Sequence, residues 1–179
     1  MKNVIIIYFS NTGNTKKVAE AVKEGFKEVD NVNVDLKTIK EAQDIDFFDY
    51  DLISIGSPSY NWSPPKKLDN FLKKKFDFYE KEGYVKLKAP KVKGRNALIF
   101  CTYSGPHSGK KEAVPVVKYI GQFFEHLGFH ILDEWYILSE MVGNERFNTK
   151  GKMGDIRGLP SKEDLTEIKN KAKKLVKRI

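Results

Sequence analysis

The sequence predicts an α/β fold: a doubly wound, three-layer sandwich with a parallel sheet between two layers of helices. Three observations predict it. Short, nearly continuous apolar runs recur at residues 4–9, 52–55 and 97–102, the pattern of strands covered on both faces. Segments with helical apolar spacing separate them. Each run then passes into small polar residues or glycine, as loops at the C-terminal edge of a parallel sheet do. Alternation of strand and helix implies right-handed crossovers.

Residues 4–9 (Val4 to Phe9) form the first strand. Residues 15–28 follow as a helix, with Val18, Ala21, Val22 and Phe26 on one stripe. Residues 32–36 alternate and suit a strand at the sheet edge. Residues 52–55 form the third strand. The next helix spans 64–76, with proline in its first turn and Leu68, Phe71 and Leu72 facing inward. Residues 79–95 are a Lys-rich connection containing Gly83, Pro90 and Gly94, read as a solvated loop at the edge opposite the strand C-termini. Residues 97–102 are the fourth strand. Residues 110–127 repeat Val114, Val117, Ile120, Phe124 and Leu127 and stop before Gly128. Residues 129–138 are the fifth strand, although Asp133 and Glu134 interrupt its middle. The last helix spans 161–179, with Ser161 as N-cap and Asp164 as a short capping-box partner.

The chain of 179 residues is one domain by size, 1–179. Its 40% apolar and 31% charged residues are an ordinary globular mixture. No run reaches the ~20 apolar residues of a membrane-spanning helix, and the N-terminal apolar stretch is too short for a signal peptide. Cys101 is the sole cysteine, so no disulfide or cysteine-based metal site forms within the chain. A cytoplasmic protein without a membrane role is expected. The net charge of +8 is carried mostly by scattered lysines. It disfavours neither solubility nor an acidic partner, and does not by itself indicate nucleic acid.

The most informative loop is Ser10-Asn11-Thr12-Gly13-Asn14-Thr15. It joins the first strand to the first helix. Short hydroxyl and amide side chains around a glycine let several backbone N–H groups face one anion, and the helix N-terminus adds partial positive charge. Neither the nucleoside-triphosphate loop pattern nor the dinucleotide glycine fingerprint is present, which favours a mononucleotide phosphate. Two further loops fall on the same edge. Pro58, Ser59, Tyr60, Asn61 and Trp62 follow the third strand; Thr102, Tyr103, Ser104, Gly105 and Gly109 follow the fourth. Small residues with a few aromatics suit a planar ring that needs faces to stack on and backbone groups for its polar edge.

The stretch Tyr8-Phe9-Ser10-Asn11-Thr12-Gly13-Asn14-Thr15 resembles the phosphate loop of the flavodoxin family in position and residue order. The resemblance implies a flavodoxin-like sheet in the order 2-1-3-4-5 and a flavin mononucleotide (FMN) at the strand C-termini. Carried over, Ser10, Asn11, Thr12, Asn14 and Thr15 bind the phosphate, and Gly13 allows close backbone approach. Residues 58–62 and 102–105 with Gly109 cradle the ring, with Tyr60 or Trp62 stacking on it. One departure concerns the loop after the third strand. Many members of the family place a glycine there, and none lies between Pro58 and Trp62. Asn61, which tolerates positive φ, is expected in its place.

The implied function is electron transfer between redox partners through FMN, with no catalytic side chain. An NAD(P)H-dependent flavin or quinone reductase is the alternative. Rivals of another class are a flavin-free regulatory module and a basic nucleic-acid binder. The basic charge suits an acidic redox partner. Residues 140–160 are long for a connection and start on the site edge; they are expected to cover the ring or to join a homodimer. His107 lies in a site loop, whereas His126, His130 and the strand-buried Cys101 are expected to be structural. Ser104 lacks the context of a hydrolase nucleophile.

Overall fold

A computed structural model describes residues 1–179. Five parallel strands run β1 (Lys2–Tyr8), β2 (Val32–Thr38), β3 (Leu52–Pro58), β4 (Asn96–Tyr103) and β5 (His130–Leu138). Their order in the sheet is β2-β1-β3-β4-β5, as the resemblance implied. The helices are α1 (Asn14–Lys27), α2 (Lys66–Lys81), α3 (Val114–His126), α4 (Glu145–Lys150) and α5 (Lys162–Val176). None is long and apolar enough to cross a membrane.

Alternation along each strand sends side chains to two cores. Ile5, Ile7, Ile53, Ile55 and Ile99 pack with α2 and α3. Val4, Ile6, Leu52, Leu98 and Phe100 pack with α1 and α5. Burial on both faces explains why the central strands read as unbroken apolar runs rather than as alternating ones. In β5 the irregular middle is a bulge. Ala97 pairs with Ile131 and Leu98 with Asp133, skipping Leu132. Asp133 accepts the indole N–H of Trp135 at 2.7 Å, and Glu134 pairs with Lys118 at 2.8 Å. The acidic pair therefore sits on an edge strand where both carboxylates find donors.

Three expectations need correction. First, α2 starts at Lys66, not at residue 64, because Pro65 is extended (φ −54°, ψ 141°) and a proline disfavours helical backbone in the residue before it. It also runs on to Lys81, because Tyr79 continues the buried stripe of Leu68, Leu72 and Lys75. Tyr79 is fully buried, its hydroxyl accepting from the Phe47 N–H at 2.6 Å, so the connection to β4 begins after the helix. Second, the helix expected over 110–127 is divided into a short 3-10 turn, Gly109–Glu112, and α3. Pro115 lacks an N–H and fits only in a first turn. Third, on α1 Ala21 is only partly buried, while Ala19 is fully enclosed. The capping box of Ser161 and Asp164 forms as expected, with Oγ accepting from the Asp164 N–H at 3.0 Å and the carboxylate from the Ser161 N–H at 2.8 Å.

Candidate functional site

Between Tyr8 and Asn14 the chain must turn back over the sheet edge. Gly13 permits this: its φ of 103° is left-handed, where a side chain would be strained. The Gly13 N–H is satisfied by Ser10 Oγ at 3.1 Å, and Lys17 N–H returns to the Gly13 carbonyl at 3.0 Å. The N–H groups of Asn11, Thr12, Asn14, Thr15 and Lys16 find no acceptor in the chain. They surround the N-terminus of a 14-residue helix, so orphan donors and macrodipole favour the same anion. No acidic side chain occurs within 10–15 to oppose it.

Side chains of this loop divide their labour. Thr15 is buried, and its hydroxyl meets that of Thr102 at 2.8 Å. One hydrogen joins the two oxygens and one is left to donate. Asn14 reaches sideways instead, its amide donating to the Glu140 carbonyl at 2.9 Å.

The two ring loops are bolted together. Ser59 N–H donates to the Thr102 carbonyl at 2.9 Å, and Ser59 Oγ to the Glu112 carbonyl at 2.6 Å. The Glu112 carboxylate accepts the N–H groups of His107 and Ser108 at 2.8 and 2.6 Å. Tyr60 and Ser63 exchange two backbone hydrogen bonds of 3.0 Å, closing a two-residue turn. Asn61 takes positive φ (47°), as expected, and so does Trp62 (64°). This is the primed geometry of a tight hairpin. For a bulky residue it costs on the order of 1–2 kcal/mol, and the paired bonds of Tyr60 and Ser63 hold it. In consequence Tyr60 and Trp62 stand 43% and 60% exposed at the lip of the site.

Two adjoining clefts result. One, of about 250 Å³, is lined by Ser10, Asn11, Thr12, Asn14, Thr15, Pro58, Ser59, Tyr60, Thr102, Tyr103 and Ser104 together with residues 139–142. The other, of about 160 Å³, is lined by Ser59, Asn61, Trp62, Tyr103, Ser104 and Gly105 with Pro106, His107, Glu112, Met141 and Phe147. Of the residues that the sequence nominates, all but Gly13 and Gly109 line one or both. Gly13 shapes its turn from behind. Gly109 is buried against Gly105 and the thioether of Met153. Tyr103 is 8% exposed and belongs mainly to the core; burial raises its phenol pKa. Glu140, Met141 and Val142 fall within the 140–160 segment expected to cover the ring, although not as single site residues; Ser139 lies just before it, where β5 ends on the same sheet edge. Cys101 is buried, and desolvation pushes its thiol pKa far up.

Known proteins share this fold and part of this sequence. A sequence profile of the flavodoxin domain matches residues 5–126. A flavodoxin of Aquifex aeolicus is 37% identical over 76 residues, which span 40% of this chain and only 41% of that relative. Oxidised Flavodoxin 1 from Bacillus cereus superposes with a TM-score of 0.68 at 14% identity, over 99% of both chains. A flavodoxin from the domain Archaea gives 0.63 at 19% identity, over 98% of this chain and 97% of the other. The rubredoxin oxygen:oxidoreductase of Desulfovibrio gigas gives 0.64 at 14% identity, covering 99% of this chain and 36% of that larger one. At such identities the superpositions speak for the fold alone, while the profile covers most of the sequence, and on that ground the chain belongs to the flavodoxin domain family.

Proposed function

We propose that the chain holds one FMN at this edge and moves electrons between redox partners. The observation that carries the reading is the ring of five unpaired backbone N–H groups at residues 11, 12, 14, 15 and 16, uncharged donors at a helix N-terminus with no carboxylate among them. A phosphomonoester offers three acceptor oxygens to such a set. The Ser10 hydroxyl, while accepting from Gly13, keeps its own hydrogen to give, as does the Thr15–Thr102 pair.

The bound FMN supplies the one- and two-electron chemistry that no side chain here can perform. The chain's own residues bind, orient and screen. Tyr60 and Trp62, fixed on their hairpin, offer apolar faces for stacking. The loop backbones at 58–62 and 102–105 offer N–H and C=O groups to a polar ring edge. Joined to each other through Ser59 and Glu112, these loops are partly ordered before a ligand arrives, and such preorganisation lowers the ordering cost of binding. An edge left open between exposed aromatics gives a protein partner access. With +8 net charge, that partner is expected to be acidic.

Titration of the purified protein with FMN and with riboflavin tests the reading. FMN is expected to bind with a shifted visible spectrum, and at least about tenfold more tightly than riboflavin, because only FMN engages the charge-assisted donors. Equal affinity for the two, or none for either, would overturn it. Steady-state oxidation of NADPH without a protein partner would move the assignment to the reductase alternative.

A further inference from the structure

Residues 139–160 return from β5 to α5 across the site, and they are fastened at both of its clefts. At the phosphate side, Ser139 N–H donates to the Tyr103 carbonyl at 2.8 Å, and the Glu140 carbonyl takes the Asn14 amide. The Glu140 carboxylate accepts the Gly158 N–H at 2.9 Å, closing the segment on itself. At the ring side, Lys152 N–H donates to the Pro106 carbonyl at 2.8 Å, and Phe147 stands edge-on to His107 at 5.5 Å. Ile156 is fully buried beneath.

At the centre lies Asn148, 4% exposed. Its Oδ1 accepts the Met141 N–H at 2.7 Å, and its Nδ2 donates to the Met141 carbonyl at 3.0 Å. The Asn148 carbonyl accepts the Ile156 N–H at 2.9 Å. One carboxamide thus satisfies both backbone groups of one residue. Asp has no donor for the second bond and Ala has neither group.

Met141, held this way, lines both clefts, a property it shares only with Ser59, Tyr103 and Ser104. Neither cleft alone reaches the roughly 300 Å³ at the lower end of small-molecule sites. A ligand with its phosphate in one and its ring in the other must pass Met141. The side chain is apolar, polarisable and 38% exposed, suited to contact an aromatic face or edge.

We infer that Met141 is a third flavin-contacting group, beyond the two ring loops, and that Asn148 is the positioning residue that presents it. The inference rests on the FMN reading and adds to it a segment that neither the loop motifs nor the family profile, which ends at residue 126, includes.

The test measures FMN and riboflavin dissociation constants for Met141→Ala, Met141→Leu, Asn148→Ala and Asn148→Asp, with amide hydrogen exchange of the unliganded and FMN-bound protein. Met141→Ala is expected to weaken both flavins by the same factor, about tenfold for lost apolar contact, leaving the FMN-to-riboflavin ratio unchanged. Met141→Leu keeps apolar volume and stays within about threefold. Asn148→Ala is expected to weaken both flavins similarly and to speed exchange of the Met141 and Ile156 amides in the unliganded protein. Asn148→Asp, which retains the acceptor, falls between. In the wild type, FMN should slow exchange across 141–148. Unchanged affinity in Met141→Ala, or a loss confined to FMN, overturns the inference. So does FMN that leaves exchange at 141–148 untouched. Should Asn148→Ala fail to fold, Met141→Ala still decides the contact. Failure of the wild type to bind FMN would instead sink the functional reading itself, a separate outcome.

Discussion

Two long irregular segments lie at opposite ends of the sheet and behave in opposite ways. Residues 82–95 connect α2 to β4 at the N-terminal edge. Residues 139–160 connect β5 to α5 at the C-terminal edge. Both are rich in glycine. The first carries five cations and no anion over 83–95, and its Leu87 is 96% exposed. It is fastened by Tyr84, whose ring lies 4.3 Å from that of Phe48, and by Val92 N–H on the Gly128 carbonyl at 2.8 Å. The second buries Ile156 and Asn148 and is tied to two site loops, the 10–15 turn through Asn14 and the loop after β4 through Tyr103 and Pro106. Length and glycine content do not separate a solvated connection from a wall of a binding site. The difference lies in whether the segment owns side chains that other elements can enclose.

Truncating the enclosed anchor gives the largest expected effect. Ile156→Ala removes a fully buried side chain and should cost about 2–5 kcal/mol of unfolding free energy. Leu87→Ala, on the opposite segment, should stay within about 0.5 kcal/mol. Urea unfolding of the two variants measures both. Comparable losses would mean that the two segments are not distinguished by burial.

The next contrast separates stability from binding. Gly151 has φ −74°, so its backbone is ordinary, but an added Cβ would lie 2.6 Å from the Phe147 carbonyl oxygen and 3.0 Å from Pro106 Cα. Gly151→Ala must push the segment off the fourth-strand loop, at a cost of about 1–3 kcal/mol, and should weaken FMN. At Gly83 the strain is conformational: φ is 78° and no atom lies within 4 Å of an added Cβ. Gly83→Ala should cost about 1–2 kcal/mol and leave FMN affinity unchanged. Flavin titration beside thermal unfolding reads both, and equal effects of the two variants on FMN would break the contrast.

The sequence made one end of the molecule far more legible than the other features of the site. Strands 4–9, 52–55 and 97–102 were plain because double-sided burial demands apolar residues without interruption, and the resemblance added their order. The 10–15 turn was plain because few residue types expose that many backbone donors. Trp62 at positive φ was not foreseeable, since no local preference favours it; two hydrogen bonds between Tyr60 and Ser63 impose it. Met141 and Val142 stood inside a segment suspected of reaching the ring, but their placement depends on Asn148, seven residues on in the chain, and on Ile156, eight further. Contacts of that kind leave no periodic trace. The far end of α2 was missed for a related reason: Tyr79 sits among charged residues, and only the third dimension shows Phe47 and Phe48 around it.

The smallest effect concerns charge within the 139–160 segment. Arg157 donates to Asp155 through its Nε at 2.9 Å and also meets Glu145 at 3.1 Å. Its hydrogen bonds, side-chain first and then backbone, hold the Asp155 carboxyl at about 2, below the usual value of about 4. A carboxyl whose folded pKa lies below its unfolded pKa stabilises the fold fully above the unfolded value, and the contribution drains away as pH falls towards the folded one. Asp155→Asn should therefore lower the Tm slightly near pH 7 and match the wild type near pH 2, the gap closing between about pH 4 and 2. Both groups are exposed, so salt should shrink the gap further. Melting curves across that range would show it. A Tm loss as large as that of Gly151→Ala, or one unaffected by salt, would mean that this surface pair, rather than the buried anchors beneath it, holds the segment to the site.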